Sequence, residues 1–139
     1  MRIEAILTVS ESKRLIAKGV KELEIVKKAL RDGMVTVAMG TTNTYVAEEL
    51  TGQKIAKFSY TTGLTLPRVS EKRPHLNIPK RPAVVFRKGK MVEELSVNDS
   101  VKELRAGDVF IKGANALNYR EKVAGILVGD PTGGTIGNA

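Results

Sequence analysis

Cysteine is absent from this sequence of 139 residues. That excludes disulfides, thiolate metal sites and cysteine nucleophiles together. His75 is the only histidine, which argues against a histidine-based metal site or a His-dependent triad within one chain. There is no tryptophan, and three Phe and three Tyr are the whole aromatic complement, so the core is expected from Val, Ile, Leu and Ala. No run approaches the roughly 18–20 apolar residues of a membrane span. The start, MRIEAILTVSESKR, has no signal-peptide run with a small-residue cleavage site. A cytoplasmic chain without a membrane partner is expected.

What is present is charge. The net charge is +8, and its distribution is uneven. Between Arg68 and Lys90 lie Arg68, Lys72, Arg73, Lys80, Arg81, Arg87, Lys88 and Lys90, with Glu71 the one acid; Glu93, Glu94, Asp99, Glu103 and Asp108 follow. Such a block is either a solvated face or an attraction for polyanions. A nucleic-acid-binding module using residues 68–90 is the alternative function, but not the favoured one. Phe86 is its lone aromatic, so a base-stacking platform is lacking.

The length suits one domain with one core, here read as a single α/β ligand-binding domain over residues 1–139. Residues 2–9 read as a short strand, with Ser10 capping a helical turn that ends at Gly19. Residues 21–32 place Leu23, Ile25, Val26 and Leu30 on one broad helical face, and Gly33 is expected in the left-handed conformation that closes such a helix. Met34–Met39, Asp108–Lys112 and Val123–Val128 are apolar without alternation, the mark of strands covered on both faces of a parallel sheet. Pro82–Arg87 reads as a strand, turning at Lys88–Lys90 into Met91–Leu95. Residues 55–67 look short and β-like. Ser96–Arg105 is expected to hold a helical turn starting near Asn98 or Asp99. Pro67, Pro74, Pro79 and Pro82 punctuate a basic excursion, Arg68–Arg81, expected to be exposed and mobile.

Each of the three apolar strands exits through a glycine: Gly40-Thr41-Thr42-Asn43-Thr44, Gly113-Ala114-Asn115, and Gly129-Asp130-Pro131-Thr132-Gly133-Gly134-Thr135. Ligands of open α/β sheets gather beyond the carboxyl ends of strands, so parallel neighbours would bring the three loops together. The first loop is the most informative. Gly40 permits close approach of the backbone, Thr41, Thr42, Asn43 and Thr44 carry donors, and the helix that follows has a positive dipole end. Helix capping would use the same residues.

These segments, with GTTNTYVAEEL, KGANALN and the Gly-rich turn as they stand here, resemble the superfamily of ribose-5-phosphate isomerases, sugar-phosphate deaminases and coenzyme A transferases. The resemblance covers roughly residues 21–137. It implies a Rossmann-like, mainly parallel sheet with flanking helices and a small β excursion. It also implies a phosphate-bearing small molecule (a sugar phosphate, nucleotide or coenzyme A type) held by the loop at Gly40–Thr44, with Gly113, Asn115, Gly133, Gly134 and Thr135 facing the rest of it.

The superfamily's chemistry does not carry over. Residues 113–118 hold no acid where proton abstraction needs a carboxylate, and no glutamate lies in any of the three loops. Asp130 and Lys112 are the remaining catalytic candidates, and Asp130-Pro131 also suits a turn. No metal or cofactor is assigned. His75 is read as a loop residue, Glu48 and Glu49 as an exposed helix face, and Asp99 and Glu103 as neighbours on a short helix. The sequence stops at TGGTIGNA, where the superfamily pattern continues; a continued chain or a partner subunit would complete it. A homo-oligomer is expected, because an apolar edge at Val123–Val128 would otherwise be open.

Overall fold

A computed structural model of the protein describes residues 4–62 and 78–139. Its centre is strand β1 (Met34–Val37), buried at every position. Side chains alternate across a strand, and both faces of β1 are covered. Val35 and Val37 join Val84 and Phe86 in the larger core cluster, with Ala17, Ala29, Val46 and Ala47 from the helices on that side. Met34 and Val85 meet the smaller cluster, with Leu95, Val97 and Leu104 packed against it. The helices of the first face are α1 (Val9–Glu22), α2 (Glu24–Asp32) and α3 (Thr41–Thr51), the last ending at Gly52 with φ 70°.

The mainly parallel Rossmann-like sheet does not form, and the isomerase- or transferase-like fold it would imply is corrected with it. β1 pairs antiparallel with β2 (Val84–Arg87), from Met34 opposite Arg87 to Val37 opposite Val84. β2 pairs antiparallel with the two-residue β3 (Lys90–Met91). Among the described residues only β4 (Val109–Ile111) runs parallel to β1, with Val35 opposite Val109 and Val37 opposite Ile111. The sheet order is β3-β2-β1-β4. An apolar run without alternation reports that both faces are covered, and it carries no information on strand direction. The β2–β3 hairpin was legible: Lys88 and Gly89 take φ 49° and 76°, the paired positive angles of a type I′ turn.

The third expected sheet strand also departs. β6 (Val123–Gly125) pairs antiparallel with β5 (Ala116–Asn118) in a separate two-stranded sheet whose residues are exposed. Parallel neighbours need a crossover of about a dozen residues or more, usually a helix. Residues 112–122 offer none, so the segment folds back on itself instead.

At the start, residues 4–8 have no regular structure where a strand was expected. Thr8, rather than Ser10, caps α1. Its hydroxyl accepts from the Glu11 amide at 3.3 Å while its own amide donates to Glu11 Oε2 at 2.8 Å. This reciprocal box satisfies two end donors at once, and the helix runs on through Gly19. Residues 57–60 form turns, not strand. The short helix α4 (Val97–Lys102) starts at a Ser96 cap, with Asp99 donating its amide to Ser96 Oγ at 3.1 Å. A last four-residue helix, α5, spans Gly134–Gly137.

Gly33 is not left-handed; its φ is −128°. The glycine is needed for space. A Cβ there would lie 2.6 Å from Asp108 Oδ1, and that oxygen accepts from the Met34 amide at 2.7 Å. Tyr60, fully buried, holds the opposite end of the sheet. Its hydroxyl donates to the Val37 carbonyl and accepts from the Val84 amide at 2.9 Å. Burial pushes this phenol up to about 12, against the lowering pull of the Val84 bond.

Candidate functional site at the start of helix α3

β1 leaves the sheet through Ala38, whose amide donates to the Ile111 carbonyl at 2.9 Å, and Met39, and then turns at Gly40. The Gly40 amide donates to the Tyr60 carbonyl at 3.0 Å. Gly40 has φ 174°, an extended angle open to any residue. An added Cβ would meet only Asn43 Cβ, at 3.9 Å. Neither backbone angle nor internal packing therefore requires glycine here, and the approach to its backbone is open.

Two of the expected donors are turned inward. Asn43 is buried, and its Nδ2 donates to the carbonyls of Ala38 at 2.7 Å and Ile111 at 3.0 Å. The Thr44 hydroxyl donates back to the Gly40 carbonyl at 2.9 Å. These bonds fix the turn itself. Thr41 and Thr42 are half-buried, and among the described residues the Thr42 hydroxyl makes no hydrogen bond. The first-turn amides of a helix have no intrahelical acceptor, and the Gly40 cap supplies no side-chain acceptor.

A cation stands at this helix end. Lys13, on α1, donates from Nζ to Thr41 Oγ1 at 2.8 Å. Its neighbour Arg14 fixes α1 against α3: it pairs with Glu49 at 2.9 Å and with Glu48, and stacks 4.6 Å from the Tyr45 ring centre. Glu48 and Glu49 are therefore not the exposed face the sequence suggested. Burial raises the Glu48 carboxyl, but the Ile55 amide and Arg14 outweigh it and hold the group below its usual range. Lys13 was invisible to loop-centred reasoning because it lies 28 positions from Thr41.

The other sequence candidates separate. Because β4 is parallel to β1, the loop after it, with Lys112 half-buried and Gly113 exposed, leaves the sheet at the same end as Gly40. Asn115 is used by the β5–β6 hairpin: its amide donates to the Gly125 carbonyl at 2.8 Å, and its side-chain oxygen accepts from Leu127 at 2.9 Å. Gly133, Gly134 and Thr135 follow β6, which has left the sheet, so the convergence of three loops fails. Gly133 and Gly134 take φ 83° and 55° in the turn into α5. Asp130 accepts from the Thr132 hydroxyl at 2.6 Å and amide at 2.8 Å; those bonds hold its carboxyl below the usual range. It serves its own turn, and among the described residues neither it nor Lys112 is matched with a second catalytic group.

His75 and residues 68–77 of the basic excursion lie outside the described residues. Of its described members, Arg81 donates to Gln53 Oε1 at 2.7 Å and Arg87 pairs with Glu103. Asp99 lies on α4 and Glu103 at its end, as the sequence suggested; Asp99 turns to Ser96 and Lys102, and Glu103 to Arg87. No helix among the described residues is long and apolar enough to cross a membrane. Compared with protein-family models, curated proteins and solved structures, the chain finds no match.

Proposed function

We propose that this chain binds a phosphate-bearing small molecule at the first turn of α3, with Lys13 as the charged contact. The observation that supports this is the Lys13 ammonium held 2.8 Å from Thr41 Oγ1, beside a helix start whose cap offers no side chain. An anion there would take up the Thr41 and Thr42 amides and hydroxyls, and Lys13 would turn from Thr41 to the charge. Helix dipole and ammonium then act in one direction. Charge-assisted hydrogen bonds contribute about 1.5–3 kcal/mol each. The reading is one of binding: among the described residues, no paired acid, base or nucleophile is arranged beside the loop.

Calorimetry of the full chain with inorganic phosphate, a sugar phosphate and coenzyme A tests it. Lys13→Ala should weaken any binding by about 10–100-fold, and Thr41→Ala by less, since the backbone donors remain. Absence of heat from all three ligands, or full affinity in Lys13→Ala, overturns the proposal.

A second reading, self-association, is favoured by exposed apolar residues. Ile6, Val9, Leu15, Ile16, Leu23 and Ile25 are exposed in and around α1 and α2, and Leu117, Tyr119, Val123 and Leu127 in and after the β5–β6 hairpin. Extended apolar exposure is uncommon on proteins that act alone.

A further inference from the structure

The end of the sheet away from Gly40 carries a cavity of about 490 Å³, within the usual range for small-molecule sites. It lies where α2 ends, β1 begins, β2 turns into β3, and residues 103–108 lead into β4. Lys28, Arg87, Lys88 and Arg105 line it together with Asp32, Glu103 and Asp108.

Sign alone would make this a mixed pocket, but the acids are already engaged. Asp32 pairs with Arg31 at 3.2 Å, and Glu103 pairs with Arg87. Asp108 accepts from the Met34 amide at 2.7 Å and the Arg105 amide at 2.8 Å. The side chains of Lys28, Lys88 and Arg105 have no carboxylate partner among the described residues. Three cations are thus left without a salt-bridge partner around a concave space; Asp108 keeps its charge, so four cations against three carboxylates leave the lining positive by one.

A second observation is independent of charge. Lys88 sits at φ 49°, in the left-handed region that suits glycine, asparagine or aspartate in this turn and that an ordinary side chain adopts at a cost. Its amide donates to the Gly33 carbonyl at 2.8 Å, so the turn is tied to the end of α2 and the Lys88 backbone is held at the cavity wall. Strained backbone of this kind concentrates at ligand-binding positions. On the opposite wall, Asp108 clamps the Arg105 loop through that residue's amide, leaving the guanidinium available for bidentate contact with phosphate.

We propose that this cavity is a binding site for a molecule carrying a diphosphate group, with Lys28, Lys88 and Arg105 as its charged contacts. The unpaired side chains number three, which suits two neighbouring phosphates better than one. The site is separate from the first turn of α3 and does not depend on it.

Inorganic pyrophosphate, titrated into the full chain at moderate salt with amide NMR shifts as the readout, tests the assignment. Shifts should centre on residues 28–34, 87–88 and 103–108. Lys88→Gly is the informative variant. It removes the charge while relieving the backbone, so the fold should be retained or strengthened while affinity falls at least about 10-fold. Arg105→Ala should fall likewise, and Lys13→Ala should leave these shifts unchanged. The proposal is overturned if pyrophosphate does not bind. It is equally overturned if Lys88→Gly binds as well as the parent, if the shifts fall only on the first turn of α3, or if a generic oligonucleotide binds where pyrophosphate does not.

Discussion

Asn43 and Ile111 are joined by a hydrogen bond from Nδ2 to a carbonyl oxygen at 3.0 Å, although 68 positions separate them in the chain. With its second bond, to Ala38 at 2.7 Å, the same amide closes the ends of two parallel strands from the start of α3. Removing it leaves the buried Ala38 carbonyl without this donor, while the Ile111 carbonyl keeps the Ala38 amide at 2.9 Å. Asn43→Ala should destabilise the fold by about 1–3 kcal/mol, measured as the shift in urea midpoint at unchanged slope. An unchanged midpoint would show that water replaces the amide.

Tyr60 makes stability depend on alkaline pH. Its phenol, ordinarily near 10.0, is raised to about 12 in the folded state. A raised folded value stabilises fully below the unfolded value and loses that contribution as pH climbs from about 10 to about 12. Stability should fall through that window in the parent protein, and this Tyr60 component should be absent in Tyr60→Phe. That variant should start lower, by about 1–3 kcal/mol, because the Val84 amide loses its acceptor. Denaturant titrations across the window check both.

Gly33 and Asp108 should show coupled energetics. Gly33→Ala forces the Asp108 carboxylate off the Met34 amide and should cost about 1–3 kcal/mol. In an Asp108→Ala background the obstructing oxygen is gone, so the same substitution should cost much less. A double-mutant cycle measures the difference; simple additivity would mean that Asp108 moves aside freely.

The exposed apolar residues lead to a prediction about association. Sedimentation of the full chain should show a concentration-dependent species heavier than the monomer. Leu117→Lys combined with Val123→Lys, on exposed strands of the hairpin, should shift the distribution towards monomer if that surface contributes. A monomer at high concentration would remove the self-association reading.

Legibility in the sequence followed the physical range of each signal. The burial of β1 and the Lys88-Gly89 turn are local, and residue type alone discloses them. Strand direction was not legible, because burial on both faces looks the same whether a neighbour runs parallel or antiparallel. Val123–Val128 misled for a related reason: an apolar run shows a need for cover without showing what supplies it. At the α3 start, Gly40 and the threonines could be read as a group, but the inward rotation of Asn43 could not, since its partner Ile111 is remote. Lys13 escaped for the same reason. The Thr8–Glu11 box, by contrast, is local, a threonine with a glutamate three residues on, and it competes with Ser10 on residue type alone.

The pairing pattern of β1 also sets an order of events during synthesis. Met34–Val37 emerges early, yet its antiparallel neighbour ends at Arg87 and its parallel neighbour at Ile111. While the intervening chain is being made, an apolar strand has no partner on either edge, a state prone to wrong pairing. The helices α1 and α2 precede it, and α3 follows directly; they are the local cover available in that interval. A ribosome-bound chain halted before Val84 should therefore depend on chaperones far more than one released after Ile111.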